Sequence, residues 1–229
     1  MSLKQRLDTI KERIDRAAKS NGRPPEDIRL VAVSKTMPVD TVRMAIDAGA
    51  EILGENYIQE ARTKVNALMD GDVEWHFIGH LQSNKAKYAV RLFDLIHSVD
   101  SLKLALELNK QAAKTGKVQS ILIQVNVARE DSKSGIFKED LLDLIHTVAQ
   151  LPNLSLKGLM TMPPFFNAPD KVRPYFKELR RLRDQIAAKK IENVMLRELS
   201  MGMTGDFEAA ISEGATLVRV GTAIFGERQ

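Results

Sequence analysis

Eight short apolar runs, each followed by a segment of helical spacing, constrain the fold of this 229-residue chain more than anything else in its sequence. The runs fall at Ile28–Val33, Glu51–Gly54, Trp75–Ile78, Leu95–Ser98, Ser120–Val125, Leu156–Leu159, Met195–Leu199 and Leu217–Val220. Several are continuously apolar, as suits strands buried on both faces of a parallel sheet. Between them, helical periodicity is clearest in Leu102, Ala105, Leu106, Leu108 and Ala112, and in Val172, Phe176, Leu179, Leu182 and Ile186. Strand–helix alternation predicts an α/β fold, and eight units predict closure into a single (β/α)8 TIM barrel. Two runs fit least well: Glu51–Gly54 is short, and Arg197 and Glu198 interrupt Met195–Leu199.

Ahead of the first run, Leu3, Leu7, Ile10, Ile14 and Ala17 repeat at helical spacing until Asn21-Gly22-Arg23-Pro24-Pro25 breaks the pattern. An extra N-terminal helix over about residues 1–22 is therefore expected to pack on the barrel or cap it. No stretch reads as an interdomain linker, and a chain that is 44% hydrophobic can bury a sizeable core, so one domain over residues 1–229 is expected. Met162-Pro163-Pro164-Phe165-Phe166-Asn167-Ala168-Pro169 reads as an extended rim loop.

Composition narrows the function classes. The 34 basic and 30 acidic residues leave a net charge of only +4, so nucleic-acid binding is not expected. There is no cysteine, which excludes disulfides and thiolate metal sites and fits a reducing compartment. Met1-Ser2-Leu3-Lys4-Gln5-Arg6 leads into charged sequence with no signal-like or membrane-spanning stretch, so a soluble cytoplasmic protein without a membrane partner is expected. His76, His80, His97 and His146 lack metal-ligand spacing, and no carboxylates cluster beside them; no metal is expected.

The candidate chemistry sits at strand ends. Lys35 follows the run Leu30-Val31-Ala32-Val33-Ser34, and an amine there can attack a carbonyl if desolvation or a nearby cation keeps it unprotonated. A strand simply surfacing into solvent would also carry such a lysine. Near the far end, Gly221-Thr222 follow the eighth run, where backbone N–H groups and the Thr222 hydroxyl could hold a phosphate. Ser200-Met201-Gly202-Met203-Thr204-Gly205-Asp206 follows the seventh, with Thr204 or Asp206 able to cap the next helix. Loops after strands seven and eight are the usual phosphate position in such barrels, although either alone reads equally as a glycine turn. An amine beside a phosphate site suggests pyridoxal phosphate; a sugar phosphate at a cofactor-free Schiff-base aldolase would fit the same cradle.

Arg219 lies within the last run, on the same face as Leu217 and Gly221. Its guanidinium only donates, so it needs an acceptor inside the barrel: a pyridine nitrogen, or a carboxylate such as Glu198. Gly54-Glu55-Asn56-Tyr57 and Gly79-His80 follow the second and third runs and could bring Asn56 and His80 near a ring, or serve only as strand-end turns, with Ser83 capping the helix beyond.

Six of these segments together resemble the pyridoxal phosphate homeostasis protein family, which is similar to the N-terminal domain of alanine racemases. The resemblance is carried by Val31-Ala32-Val33-Ser34-Lys35, Gly54-Glu55-Asn56-Tyr57-Ile58-Gln59-Glu60, His76 through Lys85, Gly158-Leu159-Met160-Thr161-Met162-Pro163-Pro164, Leu199-Ser200-Met201-Gly202-Met203 and Val218-Arg219-Val220-Gly221-Thr222-Ala223-Ile224-Phe225-Gly226. It covers nearly the whole chain. It implies that Lys35 forms a Schiff base with the cofactor aldehyde, that Ser200, Gly221 and Thr222 hold the phosphate, that Arg219 faces the pyridine nitrogen, and that Asn56 and His80 belong to the surrounding pocket. Thr204 stands where the family more often has serine, a change that keeps the hydroxyl.

The resemblance also implies binding without robust turnover. A racemase needs two acid–base groups on opposite faces of its substrate, and related alanine racemases draw the second from a tyrosine supplied through an additional C-terminal domain and a dimer. This sequence stops after the eighth unit, and of Tyr57, Tyr88 and Tyr175 only Tyr57 lies near a rim loop. The expected role is a monomeric carrier that sequesters the cofactor, takes part in vitamin B6 balance and hands the cofactor transiently to apo-enzymes that depend on it. A low-activity amino-acid racemase is the alternative.

Overall fold

A computed structural model of the chain closes all eight strands into one parallel barrel, each strand hydrogen-bonded to the next and the eighth to the first. It describes residues 1–69, 71–130, 133–164, 166 and 168–226. The strands are β1 Arg29–Val33, β2 Ile52–Glu55, β3 Glu74–Phe77, β4 Leu95–Val99, β5 Gln119–Gln124, β6 Leu154–Met160, β7 Glu198–Ser200 and β8 Leu217–Val220. The eight-stranded α/β barrel expected from the apolar runs is thus the fold. Its helices are α1 Leu3–Ser20, α2 Val39–Asp47, α3 Ile58–Ala67, α4 Ala86–Leu92, α5 Leu102–Lys114, α6 Leu141–Val148, α7 Pro169–Ala187, α8 Phe207–Ser212 and α9 Thr222–Phe225.

The seventh strand differs from its expected span. Met195 and Arg197 are exposed and joined by a turn, Arg197 N–H donating to the Met195 carbonyl, and pairing with β6 starts only at Glu198, opposite Gly158. Gly158 explains the close approach: a Cβ there would lie 1.9 Å from the Glu198 carbonyl oxygen. Of the rim loop expected over 162–169, Phe165 and Asn167 lie outside the described residues, as do residues 227–229.

Most of the core lies between barrel and helices, because every helix turns one apolar stripe inward. A smaller apolar layer fills the barrel itself: Val31, Ile52, Leu95, Leu122, Met160 and Leu217. Burying each such side chain contributes about 1.5–3 kcal/mol. Register sets polar residues on this same inner face, since Val31 pairs with Arg219, Gly54 with His76, His76 with Leu95, and Ser200 with Leu217.

The N-terminal helix starts at a capping box, Ser2 Oγ accepting from Gln5 N–H at 3.2 Å while Gln5 Oε1 accepts from Ser2 N–H at 2.8 Å. It buries Leu3, Leu7, Ile10, Ile14 and Ala18, and packs against α8 and α9. Arg6 Nε donates to the Ile224 carbonyl at 2.6 Å and Arg13 pairs with Glu208 at 2.5 Å. An element far away in sequence thereby braces the loop that follows β8.

Candidate functional site

Lys35 sits one residue past the last buried position of the β1 end, half-buried, on a turn fixed from both sides. Ser34 N–H donates to the Gly54 carbonyl at 3.0 Å, and Ser34 Oγ donates to Glu55 Oε1 at 2.6 Å. Thr36 adopts a left-handed φ of 66°, costly for a β-branched residue, and its N–H donates to Glu60. Beneath the turn lies the buried Lys64 ammonium, whose three donors are matched by the Ser34 carbonyl at 2.6 Å, Glu55 Oε1 at 2.7 Å and Glu60 Oε1 at 2.5 Å. Burial raises the Glu55 carboxyl above its ordinary range, opposed by hydrogen bonds from Lys64 and Ser34. The sequence reading passed over this cluster; its signal was Glu60 and Lys64 at i, i+4 on α3.

Arg219 is buried at the opposite side of the same seam, for β1 pairs with β8. Its Nη1 donates to Ser200 Oγ at 2.5 Å, and its Nη2 to the Thr161 carbonyl at 2.9 Å and to Met162 Sδ at 3.2 Å. Glu198 is not its partner: that carboxylate pairs with Arg29 at 3.1 Å and accepts from Thr216 Oγ1 at 2.6 Å. Burial lowers the Arg219 guanidinium to about 10, which still leaves it charged at neutral pH. A guanidinium has five N–H donors, and the acceptors found among the described residues take three. The remaining two have no acceptor among the described residues.

Gly221 packs against Val33, a Cβ there lying 3.4 Å from both the Val33 Cβ and carbonyl oxygen. This contact draws the start of α9 alongside the strand that leads to Lys35. The opening N–H groups of α9 have no intrahelical acceptor, and the Thr222 side chain is exposed beside them. Ser200, expected at a phosphate, instead has its hydroxyl fully buried between Arg219 and His97, whose Nδ1 is 2.9 Å away. In the loop beyond it, Gly202 takes φ 88° and a Cβ there would meet Ala210 Cβ at 2.5 Å. Asp206 occupies the N-cap position of α8, but its carboxylate turns back to accept from Met203 N–H at 2.6 Å. Ser83 likewise opens a single 3₁₀ turn without capping α4.

Asn56 and His80 come together on the β2–β3 side. They line an opening of about 230 Å³ with Ile78, Gln124, Ser134 and Met162, the last also touching Arg219. Asn56 Oδ1 is buried with no hydrogen-bond partner among the described residues. His80 is largely exposed, with Nδ1 3.2 Å from Ser134 Oγ and 3.8 Å from Asp100. Tyr57 is exposed and Tyr175 stacks on Phe166 at 5.8 Å, neither directed at this rim by any described hydrogen bond.

The chain positions of Lys35, Asn56 and Gly221, each just past the end of its strand, thus share the C-terminal rim, with Arg219 donating to Thr161 and Met162 just beyond β6. Residues 5–229 match the family model described as alanine racemase, N-terminal domain. The pyridoxal phosphate homeostasis protein of Aquifex aeolicus is 47% identical over 229 residues, with both chains covered in full. The chain belongs to this family. The Escherichia coli K12 pyridoxal phosphate homeostasis protein is 44% identical over 227 residues, covering 97% of this chain and 95% of that one. Among solved structures, PipY of Synechococcus elongatus is 36% identical without PLP, at a TM-score of 0.89, and aligns at 0.87 with PLP bound, covering 98% of this chain and all of PipY in both cases. Among the described residues of this family member, no helix is long and apolar enough to cross a membrane.

Proposed function

We propose that this protein binds pyridoxal 5'-phosphate as a Schiff base on Lys35 and serves homeostasis of that cofactor as a carrier, without robust turnover. The observation that carries the reading is the seam between β1 and β8, where Lys35, Arg219 and the Gly221–Thr222 start of α9 share one rim. A PLP-bound relative at 35% identity and the homeostasis names of the curated relatives support it.

When bound, the cofactor supplies an aldehyde that the lysine amine takes up with loss of water. Lys35 anchors that carbon. Gly221 and Thr222 hold the phosphate, and Ser200 acts from beneath by holding Arg219. Arg219 would offer one of its two remaining donors to the pyridine nitrogen; because a guanidinium does not give up its proton, it would leave that nitrogen unprotonated and the ring a weak electron sink. Asn56 and His80 line the open side. In this reading residues 1–229 act as one domain, monomeric and cytoplasmic, releasing cofactor to apo-enzymes through that open side.

The visible spectrum of the purified protein tests this, with Lys35→Ala alongside and borohydride reduction followed by intact mass. A yellow band absent from the variant, and a cofactor-sized adduct after reduction, are expected. A wild type that stays colourless when incubated with pyridoxal phosphate overturns the reading, and efficient amino-acid turnover by a yellow wild type overturns the carrier role.

A further inference from the structure

A line of hydrogen bonds crosses the interior of the barrel from its lower mouth to Arg219. Glu74 Oε2 lies 3.1 Å from His76 Nε2, His76 Nδ1 lies 3.0 Å from His97 Nε2, His97 Nδ1 lies 2.9 Å from Ser200 Oγ, and Ser200 Oγ lies 2.5 Å from Arg219 Nη1. Both imidazoles, Ser200 and Arg219 are buried, whereas Glu74 is half-exposed at a cavity of about 660 Å³ on the face opposite Lys35, shared with Arg29, Asp94 and Glu198.

The ends fix the direction of every proton. A guanidinium can only donate and an ionised carboxylate only accept. With neutral imidazoles, His76 must carry its proton on Nε2 to satisfy Glu74, which leaves its Nδ1 bare. His97 must then donate from Nε2, which leaves its Nδ1 bare to accept the Ser200 proton. Ser200 thereby has a lone pair to offer Arg219. Reversing the line would aim two donors at Ser200 and strand its hydroxyl proton in an apolar interior, at a cost of about 1–3 kcal/mol.

We propose that His97 and His76 are positioning residues for Arg219: Glu74 at the lower mouth selects their Nε2–H tautomers, and the resulting one-way line through Ser200 fixes the guanidinium against the cofactor rim. Burial lowers both histidines, His97 further than His76, which keeps them neutral. The charged groups around them divide: Glu74 on β3 and Asp94 before β4 favour a charged His76 and are outweighed by its burial, with Arg29 on β1 opposing them, whereas His76, Arg219 and Arg29 all disfavour a charged His97. The consequence for cofactor binding rests on the proposed function; the tautomers do not.

The test uses the apoprotein and the loaded protein in parallel. Nitrogen-15 NMR of histidine-labelled apoprotein at pH 7, assigned with His76→Gln and His97→Gln, is expected to show both imidazoles neutral with Nε2–H, and Ser200→Ala is expected to shift His76 as well as His97. An Nδ1–H on His97, a charged His76, or a His76 signal blind to Ser200→Ala overturns the relay. In loaded protein, Glu74→Ala, a mouth substitution that spares the core, is expected to speed cofactor release by about fivefold to tenfold, on the scale of one hydrogen bond. His97→Leu is expected to do the same, and His97→Gln, which can still accept and donate, to restore the wild-type rate. Release unchanged within twofold in both Glu74→Ala and His97→Leu overturns the positioning role. If the wild type takes up no pyridoxal phosphate, the proposed function falls while the apoprotein spectra still decide the line.

Discussion

The Lys64 ammonium donates to the Ser34 carbonyl at 2.6 Å, one residue before Lys35, and is nearly excluded from solvent together with its partner Glu55. Lys64→Met removes the ammonium that pairs with Glu55 and leaves that carboxylate buried with its Ser34 hydrogen bond but without its charge partner. Removing one member of a buried pair costs about 3–5 kcal/mol, whereas replacing both by apolar residues is often neutral. Urea unfolding is therefore expected to show a large loss for Lys64→Met and recovery of most of it in Lys64→Met with Glu55→Leu. Equal losses in the single and double variants would mean that the cluster acts by packing alone.

Gly79 fits only because the chain after β2 fills its side-chain space: a Cβ would lie 2.3 Å from the Asn56 carbonyl oxygen. Gly79→Ala must push the Asn56 loop aside, and overpacking of this kind costs about 1–3 kcal/mol. Gly205, which has open space around its Cβ position, supplies the control, since Gly205→Ala is expected to stay within about 0.5 kcal/mol of wild type. Unfolding midpoints and pyridoxal phosphate titrations of the two variants compare them directly. A Gly79→Ala protein as stable as Gly205→Ala would sink the packing argument.

The fold was legible because apolar runs and helical stripes alternate without interruption through the chain, and only the seventh strand was misplaced. There the apolar Met195 and Leu196 drew the span forward, while the true strand is set by Gly158 letting Glu198 approach, a contact between residues 40 apart that no local pattern encodes. Lys35, Arg219 and Gly221 stand out as candidates in the sequence because each ends or interrupts an apolar run. The histidine line escapes a search for metal-ligand spacing, the ground on which the sequence sets His97 aside. The signal was there: both lie inside apolar runs, at positions whose register turns them into the barrel. The motif points Ser200 at a phosphate, yet which way its hydroxyl turns depends on His97, 103 positions earlier.

Acid stability follows from the same two histidines. Burial sets their folded pKa values below the unfolded value of about 6.5, so below that pH the unfolded chain binds more protons than the native one. Stability is then fully present above about pH 6.5 and falls as the pH drops towards the folded values, by up to about 1.4 kcal/mol per pH unit for each histidine. Urea unfolding at pH 7 and pH 5.5 is expected to show a smaller acid loss in His97→Gln than in wild type. Identical pH dependence would mean that His97 is not the group resisting protonation.

Arg219 and Thr222 stand at two ends of one bound cofactor in the proposed function, and the two ends can be separated by removing the phosphate. Arg219→Lys keeps the charge but loses the planar fork that reaches Ser200, the Thr161 carbonyl and Met162 together. At least one buried acceptor is left unpaired, worth about 1–3 kcal/mol, or roughly tenfold to a hundredfold in affinity. Since that contact concerns the ring, Arg219→Lys is expected to weaken pyridoxal and pyridoxal phosphate alike. Thr222→Val loses one exposed hydroxyl at the start of α9, and is expected to weaken pyridoxal phosphate by about fivefold while leaving pyridoxal unchanged. Absorbance titrations of both ligands against the two variants decide it: a Thr222→Val protein that loses pyridoxal as well, or an Arg219→Lys protein that loses only the phosphorylated form, would reverse the assignment of ring and phosphate along the seam.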